Sequence, residues 1–111
     1  MFLEPMSFSK NVILVNELEE FNQIYFIRKG HFLVGFEMNK EKKYCLSFKN
    51  NNVIGAYGMT FRKRSDVIYK TKTRCFGTFI RKTNWMELEE RNPQIFIHVK
   101  KNILMDYCSK I

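Results

Sequence analysis

The side chains of this chain best able to do chemistry are basic. Between Arg62 and Arg74 stand Arg62, Lys63, Arg64, Lys70, Lys72 and Arg74, opposed only by Asp66. Such a run points to an anion, whether an acidic protein face, an anionic lipid surface or nucleic acid; the plainer reading is a solvated strand edge kept soluble by its charge. The bias extends to the whole chain. Formal net charge is +8, and residues 56–111 carry 12 basic against 5 acidic groups, where residues 1–55 nearly balance at 7 and 6. Catalytic groupings are missing: there is no G-x-S-x-G elbow, no Walker loop and no G-x-G-x-x-G fingerprint. His31, His98, Cys45, Cys75 and Cys108 show none of the close spacings that build zinc sites, so no metal and no enzymatic activity are expected. His31 reads as a surface strand residue and His98 as a helix-face residue. Three cysteines at wide, unequal gaps make a disulfide framework improbable and read as packing residues in a reducing compartment.

One nucleic-acid motif deserves comparison. Lys29-Gly30-His31-Phe32-Leu33-Val34-Gly35-Phe36 matches the RNA-recognition strand K-G-F-G-F-V-x-F at its first, second, sixth and eighth positions. It fails where it matters, because His31 and Leu33 stand where aromatic rings would stack on bases, and no helix follows the first strand. RNA binding by this route is therefore disfavoured.

The elements that must position these residues follow from pattern. With 111 residues, 45% hydrophobic and 27% charged, and only 5 Gly and 2 Pro, the composition fits one globular domain spanning 1–111. The apolar run Val12-Ile13-Leu14-Val15 is far shorter than the roughly 20 residues a membrane helix needs. Residues 11–16 predict a short strand. Ile24–Ile27 and Phe32–Phe36 flank a turn at Gly30 and predict a hairpin, with Phe32, Val34 and Phe36 on one face. A turn at 39–42 leads to a strand over 43–48 in which Tyr44, Leu46 and Phe48 alternate. After the loop 49–52, Val53-Ile54-Gly55 bends, and Ala56–Phe61 can make a helical turn. Strands over 65–72 and 75–80 are expected as antiparallel neighbours. Thr83 or Asn84 predicts a helix cap, with Glu87, Glu89 and Glu90 near the helix start. Asn92-Pro93 then ends that helix and begins another, which turns Phe96, Val99, Ile103 and Tyr107 inward and leaves Lys100, Lys101 and Asn102 to water. The fold class is α+β: an antiparallel β-roll over about 10–80, then helices over about 83–91 and 94–109.

In this order the Tyr25-Phe26-Ile27-x-x-Gly30 turn, the Ile54-Gly55-Ala56 bend, Arg64-Ser65-Asp66-Val67 and the Trp85…Pro93 helix boundary resemble a cyclic nucleotide-binding domain, over about Lys10 to Tyr107. The flavour is that of the C-terminal domain of voltage-gated or cyclic-nucleotide-gated potassium channels, in particular a divergent ciliate branch, through Gly55-Ala56-Tyr57 and Ser65-Asp66-Val67-Ile68-Tyr69-Lys70. Ile54–Ile80 can be laid on channel members without a gap. The resemblance implies a phosphate-binding cassette with cAMP or cGMP as ligand, formed by Ile54, Gly55, Ala56, Tyr57, Arg64, Ser65, Asp66 and Val67. It also implies a final helix acting as a lid, a homotetramer, and a cytoplasmic regulatory domain within a larger membrane protein.

The departures decide the expectation. In the family a cassette glutamate accepts from the ribose hydroxyl and an arginine neutralises the cyclic phosphate; the matching residues here are Ala56 and Ser65. A charge-assisted hydrogen bond is worth about 1.5–3 kcal/mol, so its loss weakens binding roughly ten- to a hundredfold. Asp66 would add repulsion. Weak or absent cyclic-nucleotide binding is expected, and no other cofactor. Arg64 could substitute only if the strand entrance is bulged or not yet extended, since neighbouring strand residues face opposite ways; otherwise it joins Arg62 and Lys63 on the basic rim. Tyr57 reads either as a ring filling the vacant pocket or as a core tyrosine. Two other readings remain: a competent sensor using Arg64, and a basic surface module for nucleic acid or anionic lipid.

Overall fold

A computed structural model describes residues 3–109, so the expected domain limits at 1 and 111 lie outside the described residues. The elements are β1 (Glu4–Phe8), β2 (Ile13–Val15), β3 (Gln23–Lys29), β4 (His31–Met38), β5 (Glu41–Lys49), β6 (Asn52–Ile54), α1 (Ala56–Phe61), β7 (Ile68–Thr71), β8 (Cys75–Arg81), α2 (Lys82–Arg91) and α3 (Pro93–Ser109). The strands form two antiparallel four-stranded sheets, ordered β1-β8-β3-β6 and β2-β7-β4-β5, so the expected roll followed by two long helices is present.

Gly30 does not close a hairpin. Its φ of 124° turns the chain from β3 in one sheet to β4 in the other, and an added Cβ would lie 2.6 Å from the Arg74 carbonyl oxygen. The expected pairing of the strands on either side of Tyr25…Phe36 is thereby corrected: two apolar runs around a glycine look alike whether the chain folds back or crosses between layers. The corner is stitched from both sides. Gly30 N–H donates to Asn50 Oδ1 at 2.8 Å, Asn50 N–H donates back to the Gly30 carbonyl at 2.9 Å, and His31 N–H donates to Thr73 Oγ1 at 2.9 Å. The β5-to-β6 and β7-to-β8 crossings therefore meet the β3-to-β4 crossing at one end of the roll. Likewise β7 and β8 are not neighbours, since each lies in a different sheet. Among the described residues, β4 and β5 are the one pair of consecutive strands that hydrogen-bond each other.

β1 carries no strong sequence signal because Pro5 interrupts it. It occupies a sheet edge, where a missing N–H is tolerated, and pairs with β8 from Glu4 opposite Phe79 to Phe8 opposite Cys75. The alternation in β4 holds for Phe32 and Val34 and then shifts, because the register with β5 slips between Val34 and Gly35 and buries Gly35 instead of Phe36.

Between the sheets the core gathers Ile24, Ile27, Ile54, Ile68 and Cys75, with the buried Thr71 hydroxyl accepting from Val12 N–H at 2.8 Å and donating to the Ser9 carbonyl at 2.7 Å. Cys45 and Cys108 are exposed, so only Cys75 packs as expected; burial pushes its thiol pKa up.

α2 starts at Lys82, directly from β8, with Arg81 as N-cap and no side-chain cap, so neither Thr83 nor Asn84 caps it. The three glutamates consequently sit past its first turn. Glu87 pairs with Arg91 at 2.6 Å, and Glu89 reaches Lys100 on α3 at 2.6 Å, which takes Lys100 out of the free solvated face expected of it. Pro93 opens α3 as predicted. Phe96 is buried, with Val99, Ile103 and Tyr107 half-buried along the same face, while Ile97, Leu104 and Met105 are exposed on another. No helix among the described residues is long and apolar enough to cross a membrane.

Candidate functional site

The segment from β6 to β7 shapes the floor of a hollow. Ile54 is buried at the end of β6, and Gly55, at φ 93°, turns the chain into α1. A Cβ at Gly55 would lie 2.8 Å from the Phe21 ring, and one at Gly58 would lie 2.2 Å from it, so the glycines let α1 settle onto Phe21. Arg62, at φ 56°, stops α1 after its six residues. The returning loop is fastened at Ser65, whose N–H donates to the Glu19 carbonyl at 3.0 Å and whose carbonyl accepts from Leu18 N–H at 2.7 Å.

Above this floor lies a cavity of about 1080 Å³, walled by the inner faces of β3, β4 and β5, by Trp85 of α2 and by α3. Gly55, Ala56, Tyr57, Arg64, Ser65, Asp66 and Val67 all line it, together with Arg62 and Lys63; Ile54 lies behind them in the core. The wall is mainly apolar and aromatic, with Phe21, Phe32, Phe48, Tyr69 and Trp85 among its rings. Phe32 and Phe48 stack at 5.3 Å, and Trp85 donates from Nε1 to Thr60 Oγ1 at 3.2 Å while meeting Phe96 edge-on.

The polar groups of the floor are largely committed. Ser65, 3% exposed, donates its hydroxyl to the Val67 carbonyl at 2.6 Å and accepts from Val67 N–H at 3.3 Å. Ala56 presents a methyl. The Arg64 guanidinium turns to the β2–β3 loop, donating to the Leu18 carbonyl at 3.1 Å and pairing with Glu20 at 3.5 Å, with its side chain 64% exposed. Asp66 stays exposed at the mouth, where its charge helps hold the phenols of Tyr69 and Tyr107 above their ordinary pKa; burial is the larger cause in both.

Tyr57 neither fills the hollow nor enters the core. It stacks face to face on Tyr107 of α3, centroids 3.9 Å apart and planes 9° from parallel, with Phe61 behind it at 5.1 Å. This stack joins the short helix of the floor to the end of the long helix. Sequence reading placed Val99, Ile103 and Tyr107 on the inward face of α3 but not as walls of the site; it left Asn102 to water, and although exposed it also lines the hollow, as do Phe21 and Asp106, which it did not single out. The spacing of α3 was the available signal; Phe21 had none beyond being aromatic.

The basic run is divided by the fold. Arg62, Lys63 and Arg64 are at the mouth of the cavity, Lys70 lies over the Tyr44 ring at 5.2 Å, and Lys72 and Arg74 border a separate depression with Ser9, Lys10 and Thr73. Among the described residues no group of three or more His, Cys, Asp or Glu could hold a metal.

No protein-family model matches the chain, and no curated protein matches it either. Solved structures do. A putative cAMP-binding regulatory protein from Silicibacter pomeroyi superposes with a TM-score of 0.78 at 16% identity, over 97% of this chain and 50% of that one. The regulatory domain of Toxoplasma gondii PKA with cAMP gives 0.73 at 11% identity, over 99% and 40%. The c-di-GMP-responsive global regulator of Xanthomonas campestris gives 0.71 at 13%, over 95% and 54%. The chain thus has the cyclic nucleotide-binding domain fold, and it spans about half or less of these proteins, between 40% and 54% of their lengths.

Proposed function

We propose that the chain is a regulatory domain of the cyclic nucleotide-binding type whose cassette has lost its hold on the cyclic phosphate, so that cAMP and cGMP bind weakly or not at all. The observation that carries this reading is Ser65. At the place matched to the phosphate-binding arginine stands a short hydroxyl whose proton is already donated to the Val67 carbonyl, and the neighbouring Arg64 is held outward by Leu18 and Glu20. A phosphate entering this floor would give up its hydration without a guanidinium at the matched position and would face Asp66. The domain would act through contacts rather than catalysis, with α3 moving against the roll as a two-state element. The larger setting we propose is the cytoplasmic part of a channel-type, homotetrameric protein. The three structures named above are kinase regulatory and bacterial proteins, so that setting rests on the Gly55-Ala56-Tyr57 and Ser65…Tyr69-Lys70 resemblance alone.

Calorimetric titration with cAMP and with cGMP at moderate salt tests the ligand half. We expect no heat of binding in the micromolar range. Micromolar affinity that is lost in Arg64→Ala would replace this reading with a competent sensor, and binding of polyanions that collapses steeply with salt and shifts on charge reversal at Lys63 or Lys72 would favour a basic surface module.

A further inference from the structure

The cavity is too well built and too apolar to be explained by what it has lost. Its deep wall is made of the side chains of Phe21, Ile24, Phe32 and Val34, all 7% exposed or less, and the one polar side chain at that depth, Ser65, bonds within its own loop. No buried side-chain nitrogen or oxygen among the described residues is left without a partner. The side chains of the interior therefore ask nothing polar of an occupant. At the mouth the formal charges balance: Arg62 and Lys63 stand against Asp66 and Asp106, and Arg64 is taken up by Glu20. A net charge on the occupant would gain little there and would lose hydration inside. At about 1080 Å³ the space matches or slightly exceeds the hollows that hold small organic molecules, which run to about 1,000 Å³. Aromatic residues on several sides suit a flat occupant.

Resting on the reading that the cassette does not hold a cyclic phosphate, we infer that the cavity between the roll and α3 binds an uncharged, apolar small molecule with aromatic character. Occupancy would bear on both the floor and the inner face of α3, and so on the Tyr57–Tyr107 stack that joins them.

The test is a fluorescence titration of the whole chain with N-phenyl-1-naphthylamine, which is uncharged, beside 1-anilinonaphthalene-8-sulfonate, which carries nearly the same rings and one negative charge. The expected result is saturable, equimolar binding of the neutral probe with micromolar affinity, insensitive to salt, and at least about tenfold weaker binding of the sulfonate. Ala56→Phe, which fills the hollow from its floor, should weaken the neutral probe by at least about tenfold. If Ala56→Phe does not fold, Val99→Phe fills it from the lid. Replacing the exposed Ile97 and Met105 by glutamine should leave probe binding unchanged. The inference is overturned if the neutral probe does not saturate, if the sulfonate binds equally well, if the filled variants bind like the parent, or if the Ile97/Met105 variant abolishes binding. A parallel cAMP titration separates the two levels: cAMP binding that displaces the probe overturns the cassette reading and this inference with it. If neither compound binds, this inference falls and the cassette reading stands.

Discussion

Replacing Tyr107 by alanine should loosen the end of α3 while leaving the roll intact. Along the last turns of α3, Ile103, Asp106 and Tyr107 line the hollow, while Leu104 and Met105 on the other side are exposed. The main tie is the near-parallel stack of Tyr107 on Tyr57 at 3.9 Å. An aromatic pair contributes about 0.5–1.5 kcal/mol beyond the area it buries. Adding the partial burial of one ring puts the loss at about 1–2 kcal/mol, which is roughly a five- to thirtyfold change in a local equilibrium. Because opening of this segment does not require the sheets to separate, the effect should appear as local exchange. Backbone amides over 103–109 should exchange roughly five- to thirtyfold faster, with the amides of β3, β4 and β8 unchanged. Hydrogen exchange read by NMR or mass spectrometry resolves the two regions. Leu104→Ala, one residue from the inward stripe, should leave the same amides within about twofold. Unaltered exchange in Tyr107→Ala would refute the stack as the tie between lid and floor. Uniform acceleration everywhere would show instead that α3 and the roll open as one unit.

Thr71→Val keeps the shape of a fully buried side chain but removes the hydroxyl that serves Val12 N–H and the Ser9 carbonyl. It should cost about 1–3 kcal/mol, or roughly 4 °C in Tm per kcal/mol at this chain length, whereas Thr71→Ser should lose less because both bonds survive. Gly58→Ala would drive a methyl to within 2.2 Å of the buried Phe21 ring, and urea unfolding should report a net loss of about 1–2 kcal/mol despite the better helix propensity of alanine. Burial raises the pKa of Tyr25 and Tyr69 above 10.0, so the folded state holds those protons more tightly than the unfolded chain; their contribution is complete below pH 10 and is lost as pH climbs through the raised values. Urea midpoints should accordingly fall above pH 10, and Tyr69→Phe should flatten part of that fall.

What could be read from the residues was periodicity and punctuation. Gly30, Gly55 and Pro93 mark real changes of direction, and the three- and four-residue spacing of Phe96, Val99, Ile103 and Tyr107 marks the inward face of α3. What could not be read was partnership. Nothing local tells a glycine turn within a sheet from one between sheets, which is why β3 and β4 were expected to pair, and Pro5 hid a strand that is acceptable only because it lies at an edge. The cassette shows the same division. Its bend and loop were legible, but the commitment of Ser65 to Val67, the outward turn of Arg64 and the stacking of Tyr57 on Tyr107 depend on groups brought in from the β2–β3 loop and from α3. The basic run was legible as composition and misleading as a surface, since the twist of the chain through β7 and the following corner sends its charges to different places.

The interleaving of the two sheets bears on how the chain is made. As the chain leaves the ribosome, among the described residues only the β4–β5 pair can zip up from what has just been synthesised; the other ladders wait for a distant stretch, and β1 waits for β8, some 70 residues later, before its edge is covered. Such remote closures are slow. Residues 4–8 therefore emerge well before their mate, and shielding them during translation should raise the yield of folded protein more than shielding the β4–β5 ribbon.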